Sequence, residues 1–410
     1  MENRWVCSPF LLYICPMLKE TISRLTDVYF NELVSVRRHL HQNPELSFEE
    51  YKTSAYIQSK LTEWGISFQA GIVNTGIVGI IEGENPASRI VALRADIDAL
   101  PIQEENEVEY KSVNAGVMHA CGHDVHSTCL LGAIKILNET KADWEGTVKF
   151  IFQPGEEKLP GGASLMIKEG VLENPKPQAI LGLHVLPQME TGFLGFKSGM
   201  FMASTDEIYI TLKGRGGHAA IPQSVIDPVL MSAYVLTSLQ QVVSRNASPI
   251  VPSVLSFGKI IGNGATNVIP DTVKLEGTFR TFDEKWRTEA HKRIETICHS
   301  VSASFGGSCD VEIRKGYPFL VNDERLNDEV QMLSGEILGN DKILPLETRM
   351  TAEDFAYYSQ IVPACFFRLG TGNLSQNICS GIHTSTFNID EEAIKVGVKA
   401  MAYAAAKINT

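Results

Sequence analysis

Apolar positions along the chain change their period several times, and each change marks an element. From residue 18 to about 41 they recur at near-helical spacing, through Leu18, Ile22, Leu25, Val28 and Tyr29, and predict a helix that Pro44 ends. Ser47 followed by Glu50 has the form of a capping box and predicts a second helix through about Trp64, closed at Gly65. Short apolar runs then appear between turn signals, at 76–81, 90–94, 148–152 and 180–184. They are rich in Val, Ile and Phe and hardly alternate, as expected of strands buried on both faces. Helical stretches at about 125–137 and 163–169 separate them. Strands alternating with helices imply an α/β domain with a mostly parallel sheet and flanking helices.

The pattern shifts after about Met202. A strand over 207–212 is followed by a helix over 227–245, strands over 254–261 and 272–282, a helix over 283–305 closed by Gly306, and a strand over 310–314. The order β-α-β-β-α-β is the ferredoxin-like split unit. The expected architecture is therefore an α/β catalytic domain of residues 17–202 and 315–410, interrupted by an inserted ferredoxin-like α+β domain of residues 203–314. No internal repeat or low-complexity tract stands out.

Composition narrows the function classes. The chain has 410 residues, enough for two or three domains at about 100–200 residues each. With 44% hydrophobic and 20% charged residues it is not a disordered chain. Acidic residues outnumber basic ones, 48 to 36, for a formal net charge of −12. That balance argues against nucleic-acid or anionic-membrane binding, which need a basic surface. The eight cysteines show no CxxC spacing and read mostly as free thiols in a reducing compartment, which points to the cytoplasm. No apolar run approaches the ~20 residues of a membrane span. Residues 5–18 are the one ambiguous stretch. A signal peptide is an alternative there, but Pro9 and Pro16 break it and no small-residue cleavage site follows. The simpler reading starts the folded chain near Met17.

Three of the expected strands run into metal-type groups. Residues 90–94 lead to Asp96 and Asp98, 148–152 to Glu156 and Glu157, and 180–183 to His184. Ligand sites of open α/β sheets form outside the carboxyl ends of strands, so these groups point to one crevice. Cys121 and His123 flank Gly122 just before the helix at 125, and a thiolate and an imidazole so spaced suit a divalent metal. Alone the pair reads better as a polar helix cap with a buried free cysteine; beside Glu157 and His184 the metal reading is the stronger one. Adjacent glutamates are usually a solvated surface pair. Here they follow an apolar strand and Pro154-Gly155, and one can bind metal while the other takes a proton from water. No GxSxG, P-loop, HExxH or GxGxxG motif is present.

With these residues in hand the chain resembles the co-catalytic metallopeptidase family of aminoacylase-like amidohydrolases. The branch it looks most like includes N-acyl-amino-acid deacylases, hippurate hydrolases and plant auxin-conjugate hydrolases. The matching motifs run in order through Arg37-Arg38-His39-Leu40-His41, Pro44-Glu45-Leu46-Ser47, the run Arg94 to Pro101, the run His119 to Asp124, the run Phe152 to Glu157, Gly216-Gly217-His218-Ala219, the run Asn267 to Asp271, Ala352-Glu353-Asp354-Phe355 and Ile382-His383. The resemblance implies two divalent metal ions per subunit. Cys121 would bridge both, His123 and His184 would complete one shell, and Glu157 and His383 the other. Glu156 would be the general base and Asp98 would orient a ligand. The inserted domain would be the lid and the homodimer contact. His218 there would stabilise the oxyanion, and Asn267 and Arg280 would bind the substrate carboxylate. By residue type alone His218 and Arg280 read as a surface histidine and an ordinary strand arginine. Gly155 stands where such proteins often carry alanine.

The expectation is a metal-dependent amidohydrolase acting on small N-acyl amino acids. The donor types suit zinc first, with manganese, cobalt or nickel as alternatives. A carboxypeptidase or dipeptidase of the same machinery, and an inactive dimeric binding protein, are the rival readings.

Overall fold

The computed structural model describes residues 9–408, with side chains from Leu18 to Ile408. Most of the ambiguous stretch at 5–18 therefore lies outside the described side chains. The chain divides into two compact units. One is Met1–Gly199 with Val321–Glu347 and Tyr357–Thr410; the other is Met200–Leu320 with Thr348–Ala356. The second unit is thus wider than the stretch 203–314 read from the sequence and takes in a short return near 350.

The first unit is built on an eight-stranded sheet. Its strands are β1 (Phe68–Ile72), β2 (Gly76–Glu82), β3 (Ile90–Asp96), β4 (Thr147–Gln153), β5 (Ala179–Glu190), β6 (Leu194–Phe196), β7 (Ile343–Pro345) and β8 (Ala364–Gly372). They lie in the order β1-β2-β4-β3-β5-β8-β6-β7. The expected mostly parallel sheet is in fact mixed. The four central strands β4, β3, β5 and β8 are parallel, whereas β1, β2 and β6 join their larger neighbours antiparallel. For β1 and β2 the reason is connection length. A parallel pair needs a crossover of about a dozen residues or more. The turn from β1 to β2 spans only Val73, Asn74 and Thr75, with the first two at positive φ, so it can only make a hairpin.

Burial explains why the central strands read as continuous apolar runs. Every residue of β4 and β8 is buried, as are the first nine of β5. The helices α1 (Pro9–Gln42), α3 (His123–Glu139) and α4 (Ala393–Lys407) pack on one another. Leu18, Ile22, Leu33, Val36 and Leu40 carry the buried stripe of α1, and His39 and His41 in its last turn suit the negative end of the helix dipole. Six buried alanines in α4 allow the close approach.

One local expectation fails. Helix α2 (Tyr51–Glu63) does begin just after Glu50 and Gly65 does follow it at φ +65, but no capping box forms. Glu45 Oε2 instead accepts from the Thr53 N–H at 2.8 Å. Ser47 and Glu50 both turn inward and are buried.

The second unit follows the other period. Its strands Asp206–Lys213, Ser253–Ile261, Thr272–Thr281 and Ser308–Lys315 form one antiparallel sheet, ordered second, third, first, fourth. Ile208, Ile210 and Leu212 alternate inward and meet Met231, Val235 and Leu239 of the helix Pro228–Gln241 and Ala290, Ile294 and Cys298 of the helix Glu284–Ser304. Asp227 and Asp283 cap these helices by accepting from two backbone N–H groups each. The helix expected to run to Arg245 changes at Val242 into a single π-type turn.

Candidate metal centre

The donors meet where β3 and β4 end. The last pair between β3 and β5 joins Arg94 to Gly182, and His184 stands two residues further along a strand that continues to Glu190. It is therefore within a strand rather than at its end, but level with Asp96. Gly122 adopts φ +86 ahead of α3, a conformation that favours glycine, so the chain turns sharply between Cys121 and His123 and both side chains face the same space. Cys121 Sγ lies 3.4 Å from His184 Nε2 and 3.3 Å from His383 Nε2. His383 comes from a distant loop that is tied down by its own N–H donating to Ala120 O at 2.7 Å. Its Nε2 is 3.2 Å from Glu157 Oε1, which in turn is 3.9 Å from His123 Nε2.

Two donor sets follow, each with its ligand atoms within 4.8 Å of one another: Cys121, His123 and His184, and Cys121, Glu157 and His383. They share the thiol. Glu156 lies buried with His123 and Glu157 in a third such group.

Hydrogen bonds orient each imidazole. His123 Nδ1 is 2.9 Å from Asp98 O and 3.1 Å from Asp98 Oδ1, so Nδ1–H donates there and Nε2 is left facing the donors. His184 Nδ1–H donates to Val185 O at 2.8 Å and likewise turns Nε2 inward. His126, one turn after His123, is different. Its Nδ1–H donates to Asp96 Oδ1 at 2.6 Å and its Nε2 accepts the Val185 N–H, so neither nitrogen can ligate. Asp98 Oδ2 accepts from Ser47 Oγ at 2.7 Å and from the Glu157 N–H at 2.9 Å. Arg94, buried in β3, donates to Asp96 Oδ2 at 2.6 Å.

Electrostatics and orphan atoms test whether cations fit. His123 Nε2 and Glu157 Oε1 are buried without a hydrogen bond, an arrangement that is costly unless something else satisfies them. Burial alone would depress the His123 pKa, but Asp96, Asp98 and Glu157 hold it up to about 10. Burial, then Glu157, Glu156 and Asp96, push the Cys121 thiol well above its ordinary value. Burial, Arg368 and His126 drive His184 the other way, well below. A cluster this rich in acceptors lacks positive charge. Divalent cations would supply it, favouring the thiolate and the neutral imidazole. The residues present fit such ions.

Asp98 is also held below its usual range: burial raises it, but His123, the Glu157 N–H and Ser47 outweigh that. Of the other site expectations, His218 is exposed on a two-residue strand, Gly217–His218, paired with Val268–Ile269 in the second unit. Asn267 is its neighbour there, its carbonyl accepting the Ala219 N–H at 3.0 Å. Arg280 is half-buried on Thr272–Thr281 with its guanidinium donating to Thr278 Oγ1 and Met350 O. Sequence reasoning missed Ser47, Glu50 and His126 as neighbours of the centre. His126 had a signal, since it lies one helical turn from His123 on a predicted helix. Ser47 and Glu50 were masked by a capping pattern that they satisfy in letter only.

Residues 92–407 match Peptidase family M20/M25/M40. The chain is 39% identical over 396 residues to "IAA-amino acid hydrolase ILR1-like 4" of Arabidopsis thaliana, covering 95% of this chain and 88% of that one. It is 39% identical over 363 residues to "N-acetyl-L-cysteine deacetylase" of Bacillus subtilis, covering 88% and 85%. Among solved structures, the Bacillus subtilis YXEP protein, described as a dinuclear metal binding peptidase from the M20 family, superposes with a TM-score of 0.79 at 32% identity, over 93% of this chain and 98% of that one. Among the described residues, no helix is long and apolar enough to cross a membrane.

Proposed function

Because the chain belongs to Peptidase family M20/M25/M40, we propose that this metal-dependent amidohydrolase cleaves the amide bond of N-acyl amino acids, releasing a carboxylic acid and a free amino acid. The observation that carries this reading is the pair of three-residue donor sets sharing Cys121, with the buried carboxylate of Glu156 beside them. Cys121 would serve both of two divalent ions, His123 and His184 one, and Glu157 and His383 the other. Sulfur, nitrogen and oxygen donors together suit zinc. When bound, the ions polarise the amide carbonyl and make water a better nucleophile. Glu156 takes the proton from the attacking water and passes it to the leaving nitrogen, a positioned acid–base role. Asp98 keeps His123 in the tautomer that presents Nε2, while its other oxygen holds the Glu157 backbone.

The second unit, with the strand order of a ferredoxin-like fold, would supply the lid and the homodimer contact expected for 203–314. His218, exposed and preceded by Gly216 and Gly217, would donate to the developing oxyanion. Asn267 beside it and Arg280 would recognise the substrate carboxylate; a planar guanidinium suits that task. The names of the plant and Bacillus relatives, an IAA-amino acid hydrolase and an N-acetyl-L-cysteine deacetylase, support this reading.

The test is a panel of N-acetyl-, N-benzoyl- and N-indoleacetyl-amino acids assayed beside dipeptides, with metal content measured on the same preparation. Acyl amino acids should give the higher kcat/KM. A preparation holding two ions per chain that cleaves dipeptides but no acyl amino acid would make the protein a dipeptidase. One that cleaves neither would make it a binding protein.

A further inference from the structure

Glu50 is fully buried in the first unit and takes no part in the donor sets or in capping α2. Its carboxylate is nonetheless fully used. Oε1 accepts the Phe48 N–H at 2.8 Å and the Gly155 N–H at 2.9 Å, and Oε2 accepts from Thr75 Oγ1 at 2.7 Å. Gly155 opens the loop that carries Glu156 and Glu157 beyond the end of β4. That loop has no strand ladder to hold its backbone, so its polar groups need partners from elsewhere. Glu50 accepts the Gly155 N–H, the Gly162 N–H donates to Gly155 O at 3.0 Å, and Asp98, itself bonded by Ser47, accepts the Glu157 N–H. The Phe48 ring closes the remaining side. A Cβ on Gly155 would come within 2.4 Å of it, and Gly155 sits at φ +62, so glycine rather than alanine fits here. Phe48 itself adopts φ +68, strained for a bulky residue and stabilised by its bond to Glu50.

We propose that Glu50 is a positioning residue: through Gly155, and together with Phe48 and Ser47, it clamps the loop so that Glu156 and Glu157 face Cys121 and His123. The roles of the two glutamates rest on the function proposed above; the clamp itself rests on the contacts just described. The proposal makes a specific demand on chemistry. Both bonds from backbone N–H groups use Oε1, and the partner on Oε2 is a hydroxyl that can either donate or accept. A neutral amide therefore fills the same position, with its NH2 donating to a reversed Thr75 hydroxyl. Burial, reinforced by nearby Asp98, pushes the Glu50 carboxyl up to about 7, so its neutral form already occurs near neutrality.

The experiment is zinc binding to the chelator-stripped full chain, in competition with a chromophoric chelator, with thermal unfolding and turnover recorded on the same variants. Glu50→Gln should keep near-wild-type affinity for both ions and near-wild-type kcat. Glu50→Leu should weaken the Glu157-dependent ion and lower kcat, each by about 10–100-fold, the usual effect of losing a group behind a ligand. Should Glu50→Leu fail to fold, Glu50→Asp reads the same effect, since it keeps the charge but is one methylene too short to reach Gly155. Retention of both ions and full turnover by a folded Glu50→Leu or Glu50→Asp would overturn the clamp. A Glu50→Gln as defective as Glu50→Leu would overturn it too, by showing that charge and not hydrogen bonding matters. If wild-type protein binds two ions but cleaves no acyl amino acid, the proposed function fails while the zinc arm still decides the clamp.

Discussion

In the first unit Asp96, Asp98, His123 and Glu157 crowd together, and two of their buried atoms, His123 Nε2 and Glu157 Oε1, find no hydrogen bond. In the second unit a comparable cluster leaves nothing over. Asp206 is buried and accepts from the Arg287 guanidinium, from His291 Nε2 at 2.6 Å and from the Gly316 N–H, and Arg287 also donates to Thr205 O and Gly316 O. Both clusters contain carboxylates and a histidine. What separates them is satisfaction: a closed network stabilises a fold, whereas an open one is poised to take a ligand. Carboxylates and histidine are common to both clusters; buried atoms left without a hydrogen bond, His123 Nε2 and Glu157 Oε1, belong to the first.

The most direct way to break the comparison is to remove the shared thiol. Cys121→Ser should lose both ions by metal analysis and nearly all turnover, because a hydroxyl is a poorer bridging donor at neutral pH than a thiolate. Glu156→Gln should keep both ions but lose about 10²–10⁴-fold in kcat, whereas Glu157→Gln should lose an ion. The opposite assignment by metal analysis would exchange their roles. In the second unit, Arg287→Met takes the guanidinium away from the buried Asp206 and leaves it with His291 and the Gly316 N–H. It should lower stability by about 3–5 kcal/mol in denaturant melts with zinc stoichiometry unchanged. A loss of zinc there would show that the closed cluster also serves the centre.

Smaller effects sharpen the contrast. Asp98→Ala should cost about 10–100-fold in zinc affinity, since it frees the His123 tautomer and the Glu157 backbone together. One buried carboxylate from each unit, Asp206 and Glu50, should also respond to pH with opposite signs. Burial raises the Asp206 pKa, but His291 and Arg287 more than reverse this and hold it below its ordinary value. Its stabilising contribution is complete above about pH 4 and is lost as pH falls through the lower folded value. Glu50 is raised to about 7 by burial and Asp98. Its contribution is complete below about pH 4.3 and is lost as pH rises through 7. Calorimetry should therefore show Asp206→Asn flattening the acid limb, while Glu50→Gln gains on wild type between about pH 5 and 8. A Glu50→Gln melting profile parallel to wild type across that window would remove the Glu50 titration from the balance.

Several features of this protein are determined by the sequence alone. The period of apolar residues specifies buried strands at 90–94, 148–152 and 180–184 and an alternating sheet after Asp206, because side-chain direction follows local backbone geometry. Glycine at 122 marks the turn before α3, because few other residues adopt φ +86 readily. Most of the candidate donors are visible as residue types near predicted strands and the start of α3. Tertiary structure decided the rest. It made the sheet mixed, through a connection between β1 and β2 too short for a crossover and by setting β6 antiparallel beside β8. It brought His383 to Cys121 across 262 positions through one backbone bond to Ala120. It used up both nitrogens of His126 while leaving one free on His123. And it turned Ser47 and Glu50, which in isolation would cap their own helix, onto Asp98 and Gly155. A side-chain oxygen bonds the donor that folding brings within reach, and in a buried site those donors come from segments far apart in the chain.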